Sequence, residues 1–366
     1  MSTQDEKKIR WVSPVDGNDI SGGGVSKVVR VLKETGIPEK YNFNYLSLKN
    51  LSVTNQIKQA FLDIYTKKYN IYILHSILSP YSIFIIICSV RAKILIIPHG
   101  ELNPQALKIK KHKKKLALII IKYFTTLNQS KKYIELVVSN LEDTEEIKKI
   151  IKIKTISCLP ELLPENASMK SFNRIDQTEP LNLVCIGRLV ENKGVSFLLK
   201  AVEQKLKSLD KNSWIQKIDN IHIYYSTFDE MELKNVKKVG ASLKNKYKIN
   251  VKLTKGMNTK QIEEDVKKIN NKVPFLPSKF ESFSYTLIEM LCFEYKPIVW
   301  YSNSLVKELT NKNICIALPP GEFDDVYQNL PEKQKLDEAE SFISYIRLFG
   351  IKEYNKIFER CINNDF

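Results

Sequence analysis

Two glutamates, Glu281 and Glu289, stand eight residues apart in the stretch Pro277 to Tyr301, PSKFESFSYTLIEMLCFEYKPIVWY. A helix of about 3.6 residues per turn that begins near Ser284 holds Glu289 inside it and leaves Glu281 in the loop at its N-terminal mouth. Such a mouth carries partial positive charge and free amide N–H groups, which suits phosphate. A carboxylate in front of an anion site makes electrostatic sense if it binds hydroxyl groups, as on a sugar ring. The stretch reads as a pocket for a molecule with both phosphate and hydroxyls. The plain alternative is a pair of acids that complement the helix dipole or face solvent.

Three further constellations carry chemistry. The segment GRLVENKG places Arg188 and Lys193 between a buried strand, Leu181–Ile186, and a helix with Val195, Leu198, Leu199 and Val202 on its apolar stripe. From there the two cations could bracket a diphosphate, Arg by planar bidentate contact and Lys as a point charge. The glycines Gly22, Gly23 and Gly24 follow a first strand, Ile9–Val12, and lead into a helix with Val25, Val28, Val29 and Leu32 on one face. Strand, glycine-rich loop and helix open an α/β nucleotide or phosphate site, although the spacing is neither G-x-G-x-x-G nor a P-loop. His99 follows the apolar strand Lys93–Ile97 in PHGELNPQAL, at a carboxyl end where functional loops of α/β sheets gather. Pro98, Gly100 and Pro104 tighten that loop around it.

The elements that must position these residues alternate strand and helix along the chain. Tyr45–Leu48, Ile71–Leu74 and Ile134–Val138 read as strands, with helices at Thr54–Lys67 and Pro80–Ser89. Proline and polar residues dominate from Pro160 to Pro180, which marks the domain boundary. Beyond it, strands at Ile221–Tyr225, Ile249–Leu253 and Val273–Leu276 feed the loop that carries Glu281, and Pro297–Tyr301 and Ile314–Ala317 extend the sheet. The pattern divides into an N-terminal domain over 1–165, a C-terminal domain over 178–345 and a terminal helix over 346–366.

The 366 residues suit two or three domains at roughly 150 residues each. A hydrophobic content of 43% is enough to fill their cores. The net charge of +16 implies an anionic partner. Six cysteines show no C-x-x-C pair and read as reduced core residues. The polar N-terminus is not a signal peptide, and no apolar run reaches the roughly 20 residues of a membrane span. The densest charge lies in KIKKHKKKLALIIIKYF, where Lys108, Lys110, Lys111, Lys113, Lys114 and Lys115 precede an apolar body. A basic amphipathic element of this kind suits an anionic membrane surface. No nucleic-acid module accompanies the charge, so nucleic acid is not an expected partner.

Taken in order, GGGV, PHG, GRLVENKG and E-x7-E resemble the motifs of the family 4 glycosyltransferases of the GT-B class, over nearly the whole chain. Pro277, Ser278, Glu281, Phe283, Glu289 and Pro297 match the family's donor-binding segment, while Ser282 and Ser284 stand where glycines are usual. The resemblance implies an α/β fold of two facing Rossmann-like domains, with the C-terminal helix crossing back to the first. It implies a retaining transferase that moves a sugar from a UDP- or GDP-sugar to a hydroxyl, without a metal cofactor. In that reading Gly23, Gly24, Arg188 and Lys193 hold the diphosphate, and Ser282, Phe283 and Ser284 line the donor loop. Glu289 binds the ribose, and His99 and Glu281 act at the sugar. The segment around His99 is closest to bacterial surface-polysaccharide (O-antigen or capsule) transferases, which implies a lipid-linked glycan acceptor and a cytoplasmic protein peripheral to the inner membrane face. Two other readings stay open: a non-transferase enzyme of the same fold, such as a nucleotide-sugar epimerase, and a binding protein whose site has decayed.

Overall fold

The computed structural model describes residues 8–19, 23–88, 92–103, 106–107, 111–127, 133–139, 141–151, 178–208, 214–291, 293–301, 303–323 and 350–360, with short pieces at 153, 155–159, 161, 163, 172–173, 175–176, 344 and 362. The chain forms two compact units, one over 1–164 together with 346–366 and the other over 165–345.

In the first unit six parallel strands alternate with helices. They are β1 (Ile9–Ser13), β2 (Phe43–Ser47), β3 (Ile71–Leu74), β4 (Lys93–Ile96), β5 (Tyr133–Val138) and β6 (Thr155–Cys158), in the order β2-β1-β3-β4-β5-β6. The helices are α1 (Gly23–Glu34), α2 (Ile37–Lys40), α3 (Val53–Tyr65), α4 (Pro80–Cys88), α5 (Lys111–Leu127) and α6 (Leu141–Ile150). Side chains alternate across the sheet with the period of two that a strand imposes. Ile9, Trp11, Ile71, Ile73 and Leu95 enter a core shared with α1, α2 and the C-terminal helix. Val12, Tyr72, Leu74, Ile94 and Ile96 enter the opposite core, with Ala60 of α3, Tyr81 and Ile85 of α4, and Leu118 and Ile121 of α5. Strands buried on both faces read as continuous apolar runs, and this is why the sequence marks them well.

Buried ion pairs tie these layers. Arg10 of β1 meets Asp63 of α3 at 3.2 Å, and the Tyr81 hydroxyl donates to the same carboxylate at 2.6 Å. Removing one partner of such a pair costs about 3–5 kcal/mol, because the other charge is left buried alone. The C-terminal helix, 350–360, returns to this unit: Tyr354 and Phe358 fill the core beside Trp11. Arg360 reaches the fully buried Glu135 of β5 at 2.7 Å, and the Ser157 hydroxyl donates to that same carboxylate.

The second unit holds β7 (Leu181–Leu189), β8 (Ile218–Phe228), β9 (Asn250–Lys255), β10 (Lys272–Leu276), β11 (Ile298–Val299) and β12 (Ile316–Ala317), ordered β12-β11-β10-β7-β8-β9 and all parallel. Its helices are α7 (Val195–Lys207), α8 (Glu230–Tyr247), α9 (Thr259–Lys267), α10 (Tyr285–Leu291) and α11 (Ser304–Asn311). Local chemistry sets their starts. Asp229 accepts from the amides of Met231 and Glu232 before α8, and Asn258 forms a reciprocal capping box with Gln261 before α9. The order is that of a dinucleotide-binding sheet, with its topological switch between β7 and β10.

Three sequence expectations shift. Gly23 and Gly24 form the first turn of α1 instead of a loop before it. The last two strands are only two residues each, and Pro297, which has no N–H to donate, stands just before the first of them. The helical tail expected from Leu336 is described as helix over 350–360, with most of 336–349 outside the described residues.

Candidate functional site

In the second unit the site grows from the two loops at the switch point, after β7 and after β10. Gly187 has φ 147°, and the register with β8 shifts between Gly187 and Leu189, so the strand carries a bulge there. A bulge re-aims the next side chain, and Arg188 stands exposed. A short 3-10 turn, Glu191–Lys193, then leads to Gly194 with φ 69°. A Cβ on Gly194 would run into the carbonyl oxygen of Pro277. The glycine of this motif is therefore dictated twice, by its left-handed backbone and by the closeness of the β10 loop. The amide of Lys279 closes the contact by donating to the Asn192 carbonyl at 2.9 Å.

This tight approach brings Lys193 onto Glu281. Lys193 Nζ donates to Glu281 Oε1, and the Ser278 hydroxyl donates to the same oxygen at 2.7 Å. Both side chains of the ion pair are 12% exposed. Asn303, the cap of α11, donates from Nδ2 to the carbonyls of Glu281 and Ser282 at 3.1 and 3.3 Å, and this fixes the loop from behind. Lys193 and Glu281, both expected at the site from sequence motifs, thus form a single cluster with Ser278.

The rest of this loop is anchored by its own side chains. Phe283 is 3% exposed, and its ring meets Tyr285 edge-on at 5.5 Å between centroids, so the ring holds the loop down from within. Ser284 has φ 77°, a left-handed conformation that favours glycine. Its hydroxyl accepts from the Leu287 amide at 3.3 Å, so the serine caps α10. Glu289 lies within α10 and accepts from the Thr259 hydroxyl at 2.9 Å. The hydroxyl of Tyr301 is buried, and burial, with the nearby Glu281 charge, pushes its pKa well above the usual range.

In the first unit the corresponding loops follow β3 and β4. His99 has φ 46° and Gly100 φ 77°, which turns the chain sharply after β4. The His99 ring does not stand open to a ligand. Its Nε2 lies 2.8 Å from Nδ1 of His75, and its Nδ1 lies 2.9 Å from Oε1 of Glu161. The two imidazoles stack with centroids 5.1 Å apart, and the His99 and Glu161 side chains are each 5% exposed. Burial, with His99 alongside, holds His75 well below its ordinary pKa and hence neutral. A carboxylate only accepts hydrogen bonds, so His99 Nδ1–H donates to Glu161, and the Nε2 of a neutral His99 ring accepts from His75 Nδ1–H. The remaining His75 Nε2 lone pair and Glu161 Oε2 are buried without partners.

A second stitch joins the same loops. Glu101 accepts from the Ser76 hydroxyl at 2.7 Å and from the Ile77 and Leu78 amides at 2.8 and 3.3 Å. Burial still pushes its pKa up against these bonds. Sequence reasoning missed His75, Glu101 and Glu161. His75 did carry a readable signal, since it follows an apolar strand as His99 does.

Gly24 is exposed in the first turn of α1. Lys113 and Lys115 are exposed on α5, and the Lys114 ammonium donates to the Ala106 carbonyl at 2.7 Å. Lys111 opens that helix, while Lys108 and Lys110 lie outside the described residues. Among the described residues no group of three or more His, Cys, Asp or Glu is placed to hold a metal ion.

No protein-family model and no curated protein sequence matches the chain. Solved structures share its fold. A sucrose-phosphate synthase from Thermosynechococcus elongatus superposes with TM-score 0.64 at 13% identity, covering 96% of this chain and 95% of that one. A UDP-forming α,α-trehalose-phosphate synthase from Burkholderia xenovorans, in complex with glucose-6-phosphate, gives 0.65 at 9% identity over 96% and 99%. A glycosyltransferase from Rickettsia africae gives 0.62 at 16% identity over 99% and 100%. The fold is thus the GT-B arrangement of two Rossmann-like units with a C-terminal helix returned to the first.

Proposed function

We propose that the protein is a retaining glycosyltransferase that moves a sugar from a UDP- or GDP-sugar to an acceptor hydroxyl. The observation that carries this reading is the Ser278–Glu281–Lys193 cluster at the switch point of the second unit, with Arg188 exposed on the bulge of the strand that leads to Lys193. Ligands of open α/β sheets bind outside the carboxyl ends of the strands at such a point. The fold shared with known sugar transferases supports it.

In this mechanism the bond from the anomeric carbon to the diphosphate breaks, and a bond to the acceptor oxygen forms on the same face. The acceptor proton passes to the departing phosphate oxygen. Charge that develops on the leaving group meets Arg188 and Lys193, which act as fixed electrostatic stabilisers. Lys193 exchanges Glu281 for phosphate when the donor arrives, and the freed carboxylate takes the sugar hydroxyls and favours positive charge near the anomeric carbon. Glu289 holds the ribose, and the loop of Ser282, Phe283 and Ser284 lies along the donor. The roles of Gly23, Gly24 and His99 toward diphosphate and sugar rest on the family resemblance. With both ring nitrogens engaged, His99 would act through the loop backbone that it positions.

The acceptor we favour is a lipid-linked glycan of bacterial surface-polysaccharide synthesis, at the cytoplasmic face of the membrane. The named partner of one structural relative, glucose-6-phosphate, favours a second reading, a soluble sugar phosphate as acceptor. The test is nucleotide release from a donor series, with lipid-linked extract, with glucose-6-phosphate and with neither, for the native protein and Glu281→Ala. Acceptor-dependent release that falls in the variant by about 100-fold or more supports transfer, and the acceptor that stimulates it decides between the two readings. Release without acceptor would point to an epimerase or hydrolase. Silence with every donor would leave a binding protein.

A further inference from the structure

The helix layer α3–α4–α5 of the first unit leaves an apolar face uncovered. Along α3, Val53, Ile57, Phe61 and Tyr65 recur every fourth residue and are 60%, 39%, 54% and 76% exposed. On α5, Leu116, Ile119 and Tyr123 are each more than half exposed. Helix α3 packs on α4 and α4 on α5, and all three cover the same sheet face, so their outer sides form one surface. The Phe61 and Tyr65 rings stack at 5.8 Å, which makes a flat aromatic edge of one end of the α3 stripe.

The charges around this face have one sign. Lys58, Lys67 and Lys68 flank the α3 stripe, and Lys113, Lys115 and Lys122 flank that of α5, all exposed. The only carboxylate on these three helices, Asp63, is buried against Arg10. A monomer surface that gathers apolar side chains into a patch marks an interaction site. A cationic rim around apolar and aromatic residues matches an anionic bilayer, where stems insert at headgroup depth and lysines meet phosphate. A second copy of the chain would set this rim against an identical one and leave like charges facing. None of the described helices is long and apolar enough to cross a membrane, so the contact lies in the plane of the surface.

We propose that the outer face of α3, α4 and α5 docks on an anionic lipid surface, with Ile57, Phe61 and Tyr65 inserted and the lysines on the headgroups. This deepens the lipid-linked acceptor reading, and it is tested without donor or acceptor, so either can fail while the other stands. Full-length protein is sedimented with vesicles of pure phosphatidylcholine and with vesicles containing phosphatidylglycerol. Binding to the anionic vesicles, weakened by salt, is the expected result. Phe61→Ser together with Tyr65→Ser should lower the partition coefficient by roughly tenfold or more, with an unchanged melting temperature because both rings are exposed. Lys113→Glu with Lys115→Glu should abolish the preference for anionic lipid. Vesicle binding that neither double variant alters would overturn the proposal. So would a dimer in light scattering that Phe61→Ser dissociates, since the face would then belong to a second copy.

Discussion

Each unit ends its sheet with a carboxylate that grips a nitrogen-bearing side chain, but the two grips differ in access. Lys193 and Glu281 keep some exposure, and the exposed Arg188 lies five residues before Lys193. His99 and Glu161 are nearly sealed, and His75 closes the remaining ring nitrogen. An ion pair that solvent can reach can trade one partner for a ligand phosphate. A sealed chain of side chains can only hold a loop in place. In the proposed mechanism the same chemistry would serve binding in one unit and positioning in the other.

The largest effect should come from the turn that makes the open pair possible. Gly194→Ala places a Cβ against the Pro277 carbonyl in a left-handed backbone, and we expect a loss of about 3 kcal/mol or more. Thermal unfolding reads this directly, and an unchanged melting temperature would mean that the two loops are not in contact. The next variants set the grips against each other. Glu161→Ala should cost stability on the order of 3 kcal/mol by unpairing a buried cluster. Lys193→Ala should cost about 1 kcal/mol of stability but roughly 100-fold in turnover. If the losses fall the other way round, the assignment of binding and positioning is reversed.

A pH experiment sharpens the sealed side. The unfolded chain protonates His75 below about pH 6.5, while burial and the neighbouring His99 keep the folded form neutral. The unfolded state then binds more protons, so stability falls as the pH drops through that range. His222, lowered by burial and Lys252, adds to the same trend. Glu101 opposes it, since its raised pKa gives stability at low pH that is lost as the pH rises. His75→Asn keeps a donor toward His99 without the titration, so its melting temperature should fall less between about pH 7.5 and about pH 5.5. An equal fall would remove His75 from the account. The smallest effect is Ser284→Gly. Relief of the left-handed backbone is worth roughly 1–2 kcal/mol, against a few tenths for the weakened cap, so denaturant unfolding should show a gain near 1 kcal/mol.

Much of the second unit's site was legible because its residues sit in motifs whose spacing reflects backbone demands. Gly194 and Pro277 had to be a glycine and a turn for the loops to meet, and Lys193 and Glu281 come with them. Glu161 was not legible. It falls in a proline-rich stretch that reads as a linker, and only folding brings it to His99, 62 residues earlier. The α3 stripe shows a different limit. Periodicity announces an apolar face, but nothing local says whether protein covers it. Ala60 was enough to seat the inner side of α3, and Phe61 was left outside.

The return of the C-terminal helix carries a consequence for biosynthesis. Trp11 and the odd-numbered side chains of β3 share their core with Tyr354 and Phe358, which leave the ribosome only after residues 165–345 have been made. At 5–20 residues per second that delay is roughly 10–35 s. Through this interval the core beside α1 and α2 lacks Tyr354 and Phe358, so a chaperone that shields aromatic surface would raise the yield of native protein.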